Sequence, residues 1–309
     1  MSIVDGISYQ EYEIGDETDI SILYNNVFSE SMTRIWNYYY KDSFNSPIGH
    51  NQHVILAAKD GRDIIGTACI CALTINYYGR LIKGGIVKDV MVHPRYQKRG
   101  IFTRASKQSY EIAKNYGYEF LFGFPNKISY PIFDKYLGWQ TIAPINTFEY
   151  DLNQTVYEKV RYNIFQATEK YNLSIYPNAI SNIQVLRDKY YFKKRYSKHF
   201  NNDKYVFITN NIGLIVLKKY TDQIAHIMEI IADGDIRSLL ISATQYLAQS
   251  GYSLLTTFLP FFANDLLNFG FQEKKGSIYF IVKSLTYKPI ESYKDIRNYY
   301  ISWGDSDVY

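Results

Sequence analysis

The sequence predicts an α/β protein assembled from two copies of one unit, and three observations carry that reading. The 309 residues amount to about two domains' worth of chain. The order helix, hairpin, strand, helix, strand, helix can be traced along it twice. In each copy a long amphipathic helix stops at a glycine and is followed by a short apolar strand closed by proline.

The first copy opens with a helix expected near Asp19 to Tyr40, then a hairpin from Val54 to Leu73 that turns around Asp60-Gly61-Arg62. An extended segment, Ile86 to Val92, leads into a helix over 101–116, where Ile101, Ala105, Ile112 and Tyr116 fall near one face and Gly117 provides the stop. Gly117 to Pro125 reads as a short strand, and a second helical pattern closes on Leu137-Gly138-Trp139. A connector near Asp151 to Tyr176 follows. The second copy repeats the order: a helix expected near Ser181 to Ser197, a hairpin from Tyr205 to Tyr220 turning near Asn210-Asn211, and an extended segment from His226 to Ala232. Its long helix is the cleaner one, with Ile236, Leu239, Leu240, Ala243, Tyr246, Leu247 and Ser250 in register, Asp235 placed to cap its start and Gly251 its end. Gly251 to Pro260 repeats the strand, and a short helix closes on Phe269-Gly270-Phe271. A period this long indicates duplication of a whole unit, not a solenoid. The expected division is 1–150 and 151–309.

Composition narrows the function classes. Lys and Arg number 34 against 30 Asp and Glu, an excess too small to announce a dedicated nucleic-acid binder. No apolar run reaches the roughly 18 to 20 residues a spanning helix needs, and Asp5, Glu11, Glu13, Asp16, Glu17 and Asp19 stand where a signal peptide would be basic and then apolar. A cytoplasmic protein without membrane insertion is the expectation. The two cysteines, Cys69 and Cys71, lie two apart in a β-branched stretch, a spacing that suits buried thiols on one strand face and neither a disulfide framework nor a zinc site. His50, His53, His93, His199 and His226 show no two-His-plus-carboxylate spacing, so no metal is expected. In Lys189 to His199, cations alternate with rings. On a helix this pattern reads as a solvated basic face, with Tyr191, Arg195 and Lys198, over a core face of Phe192 and Tyr196.

The chemistry is expected where the strand Val87-Lys88-Asp89-Val90-Met91-Val92 runs through His93-Pro94-Arg95-Tyr96 into Gln97-Lys98-Arg99-Gly100-Ile101-Phe102 and the long helix. A glycine-bearing loop at a helix N-terminus leaves backbone N–H groups pointing one way and so offers an anion site. Gly100 lets a ligand approach the backbone, while Arg95, Lys98 and Arg99 add positive charge suited to a polyphosphate.

With Gln97, Gly100 and the preceding Val92-His93-Pro94, this stretch resembles the pyrophosphate loop of the GCN5-related N-acetyltransferase (GNAT) superfamily, which reads Gln or Arg, two residues, Gly, one residue, then Gly or Ala. Phe102 stands where a small residue is usual. The resemblance covers roughly residues 15 to 150 by motif and the second half by topology. It implies two tandem GNAT-like units, each a mixed, mostly antiparallel sheet flanked by helices, with an acyl-CoA-binding first unit. Gln97, Lys98, Arg99, Gly100, Ile101 and Phe102 would then hold the coenzyme pyrophosphate, Val90, Met91 and Val92 the acyl thioester, and Asn126 the pantetheine arm or the substrate. The family's acid is a Tyr on the following helix; here Phe133 takes that place, leaving Tyr130 and Tyr136, three residues either side, as substitutes. Asp89 is the candidate base, with pairing to Lys88 or Arg80 as the alternative role.

The second half carries Asp233-Gly234-Asp235 where the first carries its basic loop, which would repel a pyrophosphate. One acetyl-CoA site is expected, in the first half. Tandem forms resemble aminoglycoside-acetylating enzymes, in which a terminal carboxylate enters the active site, and this makes Tyr309, Asp305 and Asp307 candidates to meet an acceptor. The resulting expectation is transfer of an acetyl or similar acyl group to a primary amine of a small molecule, an amino sugar or nucleotide-linked amino sugar being favoured. The alternatives are a Fem-like aminoacyl-tRNA-dependent transferase and a catalytically silent acyl-CoA-binding module. No covalent enzyme intermediate is expected, since neither cysteine has an activating His nearby in sequence. The sequence leaves the oligomeric state open.

Overall fold

The computed structural model describes residues 2–28, 53–155, 157–166, 181–196, 205–286 and 294–306. In chain order the first elements are β1 (Ser2–Val4), β2 (Ile7–Glu11), α1 (Glu17–Phe28), β3 (Val54–Asp60), β4 (Asp63–Tyr77), β5 (Arg80–Val92), α2 (Ile101–Asn115), β6 (Phe120–Gly123), α3 (Tyr130–Tyr136) and β7 (Gln140–Asp151). There follow β8 (Asn163–Gln166), β9 (Ile183–Val185), α4 (Lys189–Tyr196), β10 (Tyr205–Thr209), β11 (Gly213–Lys219) and β12 (Ile224–Ala232). The last are α5 (Arg237–Gln249), β13 (Leu254–Thr257), α6 (Ala263–Phe269), β14 (Gln272–Ser284) and β15 (Tyr299–Tyr300). Two compact units emerge: residues 1–75, 81–142 and 279–291 form the first, and residues 76–80, 143–278 and 292–309 the second. No helix among the described residues is long and apolar enough to cross a membrane.

The first unit is a sheet in the order β1-β2-β3-β4-β5-β6-β14. The pairs β1–β2, β2–β3, β3–β4 and β6–β14 are antiparallel, and β5–β6 is parallel. β4 is buried without a break from Ile64 to Ala72, because side chains pack on both faces of it, so it reads as a continuous apolar run and not as an alternation. Cys69 and Cys71 lie in that run as buried free thiols. α2 buries Ile101 and Ala105 against Ile7, Leu56 and Ala68, then Tyr110 and Ala113 against Val87, Tyr118 and Leu121. Each large apolar side chain placed there contributes about 1.5–3 kcal/mol. Trp139 closes the same core and donates its indole N–H to the Tyr110 hydroxyl at 3.1 Å.

The second unit repeats the theme in the order β7-β13-β12-β11-β10-β8, with β12–β13 parallel and the other neighbours antiparallel. α5 lies on this sheet through Leu239, Leu240, Ala243 and Leu247, all with no exposed surface.

Both hairpins form where the sequence placed them, as do the two long helices and the strands after them. The differences are local. The helix expected from 181 to 197 is helical only from Lys189; Ile183–Val185 is instead a buried strand, paired in parallel with Tyr299–Tyr300. Asp188 starts the helix by accepting the Tyr191 backbone N–H at 2.8 Å. The helix expected from Asp19 is observed to Phe28, and residues 29–40 lie outside the described residues. Relative to a division at 150/151, segments 76–80, 143–150 and 279–291 fall on the other side. For the last two the reason is strand pairing: residues 148–151 bond to β13, and residues 281–284 bond to β6.

Candidate active site

The C-terminal end of β5 positions the candidate residues in the first unit. β5 and β6 pair at Gly84–Phe120, Gly85–Leu121 and Ile86–Phe122, after which β6 stops at Gly123 while β5 continues to Val92. The strands therefore part company, and the main chain from Val87 to Val92 loses β6 as its hydrogen-bonding neighbour. Asp89 sits in this stretch with φ +48°, a left-handed backbone that Asp tolerates better than most residues. Its carbonyl accepts the Thr67 hydroxyl at 2.8 Å. The break in strand alternation brings neighbours together that a regular strand would hold on opposite faces, and the Lys88 ammonium lies 3.3 Å from the Asp89 carboxylate. Lys88 is almost wholly buried; Asp89 keeps a small opening to solvent. Val90 is half-buried, and Met91 and Val92 are buried.

Beyond Val92 a single 3-10 turn, Pro94–Tyr96, leads into the loop. The Tyr96 hydroxyl donates to Asp60 at 2.9 Å, and this bond holds the phenol above its ordinary tyrosine pKa. Arg99 lies over the Tyr96 ring at 5.3 Å. Gln97 turns back to donate to the Val92 carbonyl at 3.4 Å. Lys98 and Gly100 are both left-handed, with φ +63° and +75°, a loop geometry that turns successive N–H groups toward one side. Gly100 is the N-cap of α2 and brings no side chain to cap it, so the first N–H groups of the helix face outward. The space over Gly100 is open, its nearest neighbour being the Arg104 guanidinium at 4.0 Å. Arg95, Lys98 and Arg99 are exposed around this point.

The loop thus has the properties of a polyphosphate cradle: open backbone donors, a helix N-terminus and four cations. Sequence reasoning found three of the cations and missed Arg104, although its place one helical turn after Gly100 was the available signal. Asp5 shares that guanidinium at 3.0 Å.

The remaining candidates divide. Asn126 spends its Oδ1 on the Ile128 and Ser129 N–H groups, at 2.9 and 3.0 Å, and so starts α3. Tyr130 is half-buried, stacked on Tyr279 with ring centroids 3.9 Å apart, and its hydroxyl is 3.0 Å from Thr141 Oγ1. Tyr136 is 64% exposed. Phe133 points into the core, edge-on to Phe102 at 5.6 Å and to Trp139 at 5.4 Å. The two positions that depart from the family pattern, Phe102 and Phe133, are therefore in contact with each other. An open cavity of about 800 Å³ lies elsewhere in this unit, lined by Lys107, Tyr110, Lys114 and Lys283 among others; neither Asp89 nor residues 97–100 line it.

In the second unit the corresponding loop carries acids in place of cations. Asp235 accepts the Arg237 N–H at 2.8 Å, which places the chain's own carboxylate at the N-terminus of α5. Asp305 is buried and bonded to Arg187, which removes it from contact with an acceptor. Tyr309 and Asp307 lie outside the described residues. Tyr191 and Arg195, expected on a solvated face, point inward: Tyr191 donates to Glu229, and Arg195 to the carbonyls of Trp303 and Ser306. Burying those polar groups is possible because each finds a partner there, a signal that helical periodicity does not carry.

Residues 8–142 match the family model of the acetyltransferase (GNAT) domain. No curated protein matches the sequence. Among solved structures, the chain is similar to a conserved protein of unknown function from Enterococcus faecalis V583 (TM-score 0.67, 12% identity, covering 90% of this chain and 72% of that one). It is also similar to a GCN5-related N-acetyltransferase from Kribbella flavida (TM-score 0.63, 13% identity, 92% and 72%). A third likeness is to the Saccharomyces cerevisiae N-myristoyltransferase with bound myristoyl-CoA (TM-score 0.59, 9% identity, 91% and 83%). At these identities the likeness is one of fold.

Proposed function

We propose, from the match of residues 8–142 to the acetyltransferase (GNAT) domain, that the chain moves an acetyl or similar acyl group from acyl-coenzyme A to a primary amine. One observation carries the proposal: the uncapped N-terminus of α2, opening on Gly100 among Arg95, Lys98, Arg99 and Arg104, lies at the end of the strand that diverges from β6. The residues present fit the coenzyme. The loop amides and cations suit its phosphates, and the edge of β5 beyond its pairing with β6 suits an extended arm with amide groups of its own.

When bound, the coenzyme supplies a thioester as the acyl donor. The chain's part is to orient and to move protons. Main-chain groups of Val90 to Val92 hold the acyl end against β5. Asp89 takes a proton from the incoming ammonium, so that the nitrogen can form its bond to the acyl carbon as the carbon–sulfur bond breaks. Tyr130, fixed by Thr141 and Tyr279, gives its proton to the departing sulfur and recovers one from the acylated nitrogen, which sheds its second proton as the amide forms. An amino sugar is the acceptor class we favour, on the resemblance of the tandem arrangement to aminoglycoside-acetylating enzymes.

Replacing Gly100 with Asp tests the reading. Asp is among the side chains that best tolerate a left-handed backbone, and the space over Gly100 is open, so the fold should survive. Its carboxylate would face the phosphates. Calorimetry should give one acetyl-CoA site per wild-type chain and at least 100-fold weaker binding in the variant, with an unchanged unfolding transition. Unchanged affinity would sink the proposal.

A further inference from the structure

The two units differ most where they correspond most closely. In the first, Asp89 is followed by Val90-Met91-Val92 to the end of β5; in the second, Glu229 is followed by Ile230-Ile231-Ala232 to the end of β12. Both carboxylates sit at an irregularity: Asp89 by its left-handed backbone, Glu229 beside a register shift opposite Val216 and Leu217. Both follow a parallel pairing that ends early, since β12 pairs with β13 only from Ile224 to Ile227. The second unit therefore has its own strand divergence, with Glu229 inside it.

That divergence is filled. The segment Tyr299–Ser306 pairs its first two residues with β9, and then Trp303 packs on Phe258, just past the end of β13, with centroids 4.3 Å apart. Gly304 follows, against Glu229. A Cβ built on Gly304 would fall inside contact distance of Glu229 Oε1 and of the Tyr196 hydroxyl, and 2.7 Å from that of Tyr191. Only glycine fits. Glu229 has no exposed surface and accepts from Tyr191, Tyr196, Tyr300 and Arg187. Arg187 bridges it to Asp305 of the segment, whose carboxylate also accepts the Ser302 N–H at 3.0 Å. Its second oxygen, Oδ1, is buried with no hydrogen-bond partner among the described residues. Arg195 adds donors to the carbonyls of Trp303 and Ser306.

We infer that the second unit carries a peptide-binding socket at the position of the first unit's acyl-transfer cleft, and that its ligand is the chain's own aromatic-glycine-acid segment, Trp303-Gly304-Asp305. The correspondence of the two clefts rests on the function proposed above; the socket and its occupant rest on contacts within the second unit alone. Four features select this ligand: the Phe258 ring for an aromatic residue, the Glu229–Tyr191–Tyr196 floor for a glycine, the Arg187 guanidinium for an acid, and β9 for the strand that precedes them.

The test uses the full chain with Gly304→Val. Its side chain cannot enter the socket, so hydrogen exchange of residues 299–306 should accelerate at least 100-fold while β10 to β12 stay as protected as in the wild type. A fluorescently labelled peptide of sequence Tyr299–Ser306 should then bind the variant saturably and not the wild-type chain, whose socket is occupied; the same peptide carrying valine for glycine should bind neither. In Glu229→Gln, which keeps the shape and drops the charge, exchange of the segment should rise about tenfold. Undiminished protection of 299–306 in Gly304→Val, or failure of the peptide to bind that variant, would overturn the inference. So would unfolding of β10 to β12 together with the segment, which would make it core and not ligand. Acetyl-CoA titration of the same variants separates the two proposals: it should stay at wild-type affinity whether or not the socket is emptied, and its loss from the wild-type chain would count against the first unit's reading only.

Discussion

At Asp89 the backbone does the selecting before the side chain acts. A φ of +48° favours Asp and Asn over other non-glycine residues, so Asp89→Asn removes the proton acceptor while keeping the conformation. We expect kcat/KM to fall about 100- to 10,000-fold with the coenzyme Kd unchanged, read by thiol release and calorimetry. Phe133 tests the acid from the other side. It is enclosed by Phe102 and Trp139, so Phe133→Tyr places a hydroxyl among rings and should cost about 1–3 kcal/mol of stability without raising turnover. A rise in turnover would return the role from Tyr130 to position 133. His226, bonded to Thr256 and near Lys218, is held neutral by burial, its pKa pushed down to about 4. Between pH 6.5 and 4 the unfolded chain takes up a proton that the folded chain refuses, so stability is full above pH 6.5 and falls as the pH drops, by up to about 3 kcal/mol. Urea unfolding at pH 7.5 and pH 5 should show this loss, and His226→Gln should flatten it. Of these residues the sequence disclosed Asp89 and Phe133 by position in a motif. It also offered Lys88 as a partner for Asp89, and the two lie 3.3 Å apart; it did not disclose the pairing of Phe102 with Phe133, which depends on a distance between side chains that strand and helix periods leave open.

Helix starts distinguish the two units. α2 begins on a bare glycine with no side-chain cap, as the proposed coenzyme site requires; α5 begins with Asp235 accepting its first N–H group. Asp235→Ala should therefore lower stability by about 1 kcal/mol, measured by thermal or urea unfolding, while leaving coenzyme binding in the first unit untouched. The contrast was legible in sequence, since Gly100 with flanking cations and Asp235 with flanking acids announce opposite electrostatics. Long amphipathic helices and hairpins with Asp-Gly or Asn-Asn turns were legible for the same reason: their signals are local. The strand at Ile183–Val185 was not. It is too short to show a period, and its partner, Tyr299–Tyr300, lies in a distant part of the chain.

On the scale of the molecule, the recurring order of elements was readable and the strand partners were not, because order is a property of the sequence whereas pairing is a matter of space. The first unit includes residues 279–291, and Ile281, buried in its core, bonds opposite Gly123. A fragment of residues 1–150 should for this reason fail to give a cooperative unfolding transition, whereas the full chain should show one for this unit. During synthesis the same arrangement imposes a waiting time. Phe120, Leu121 and Phe122 leave the ribosome long before Val282 and Lys283, the strand residues that will cover their edge, so nascent chains carry an unpaired apolar edge through the translation of the whole intervening unit. Stopped-flow refolding should therefore show a slow, late phase set by this topology and not by any weakness of the core.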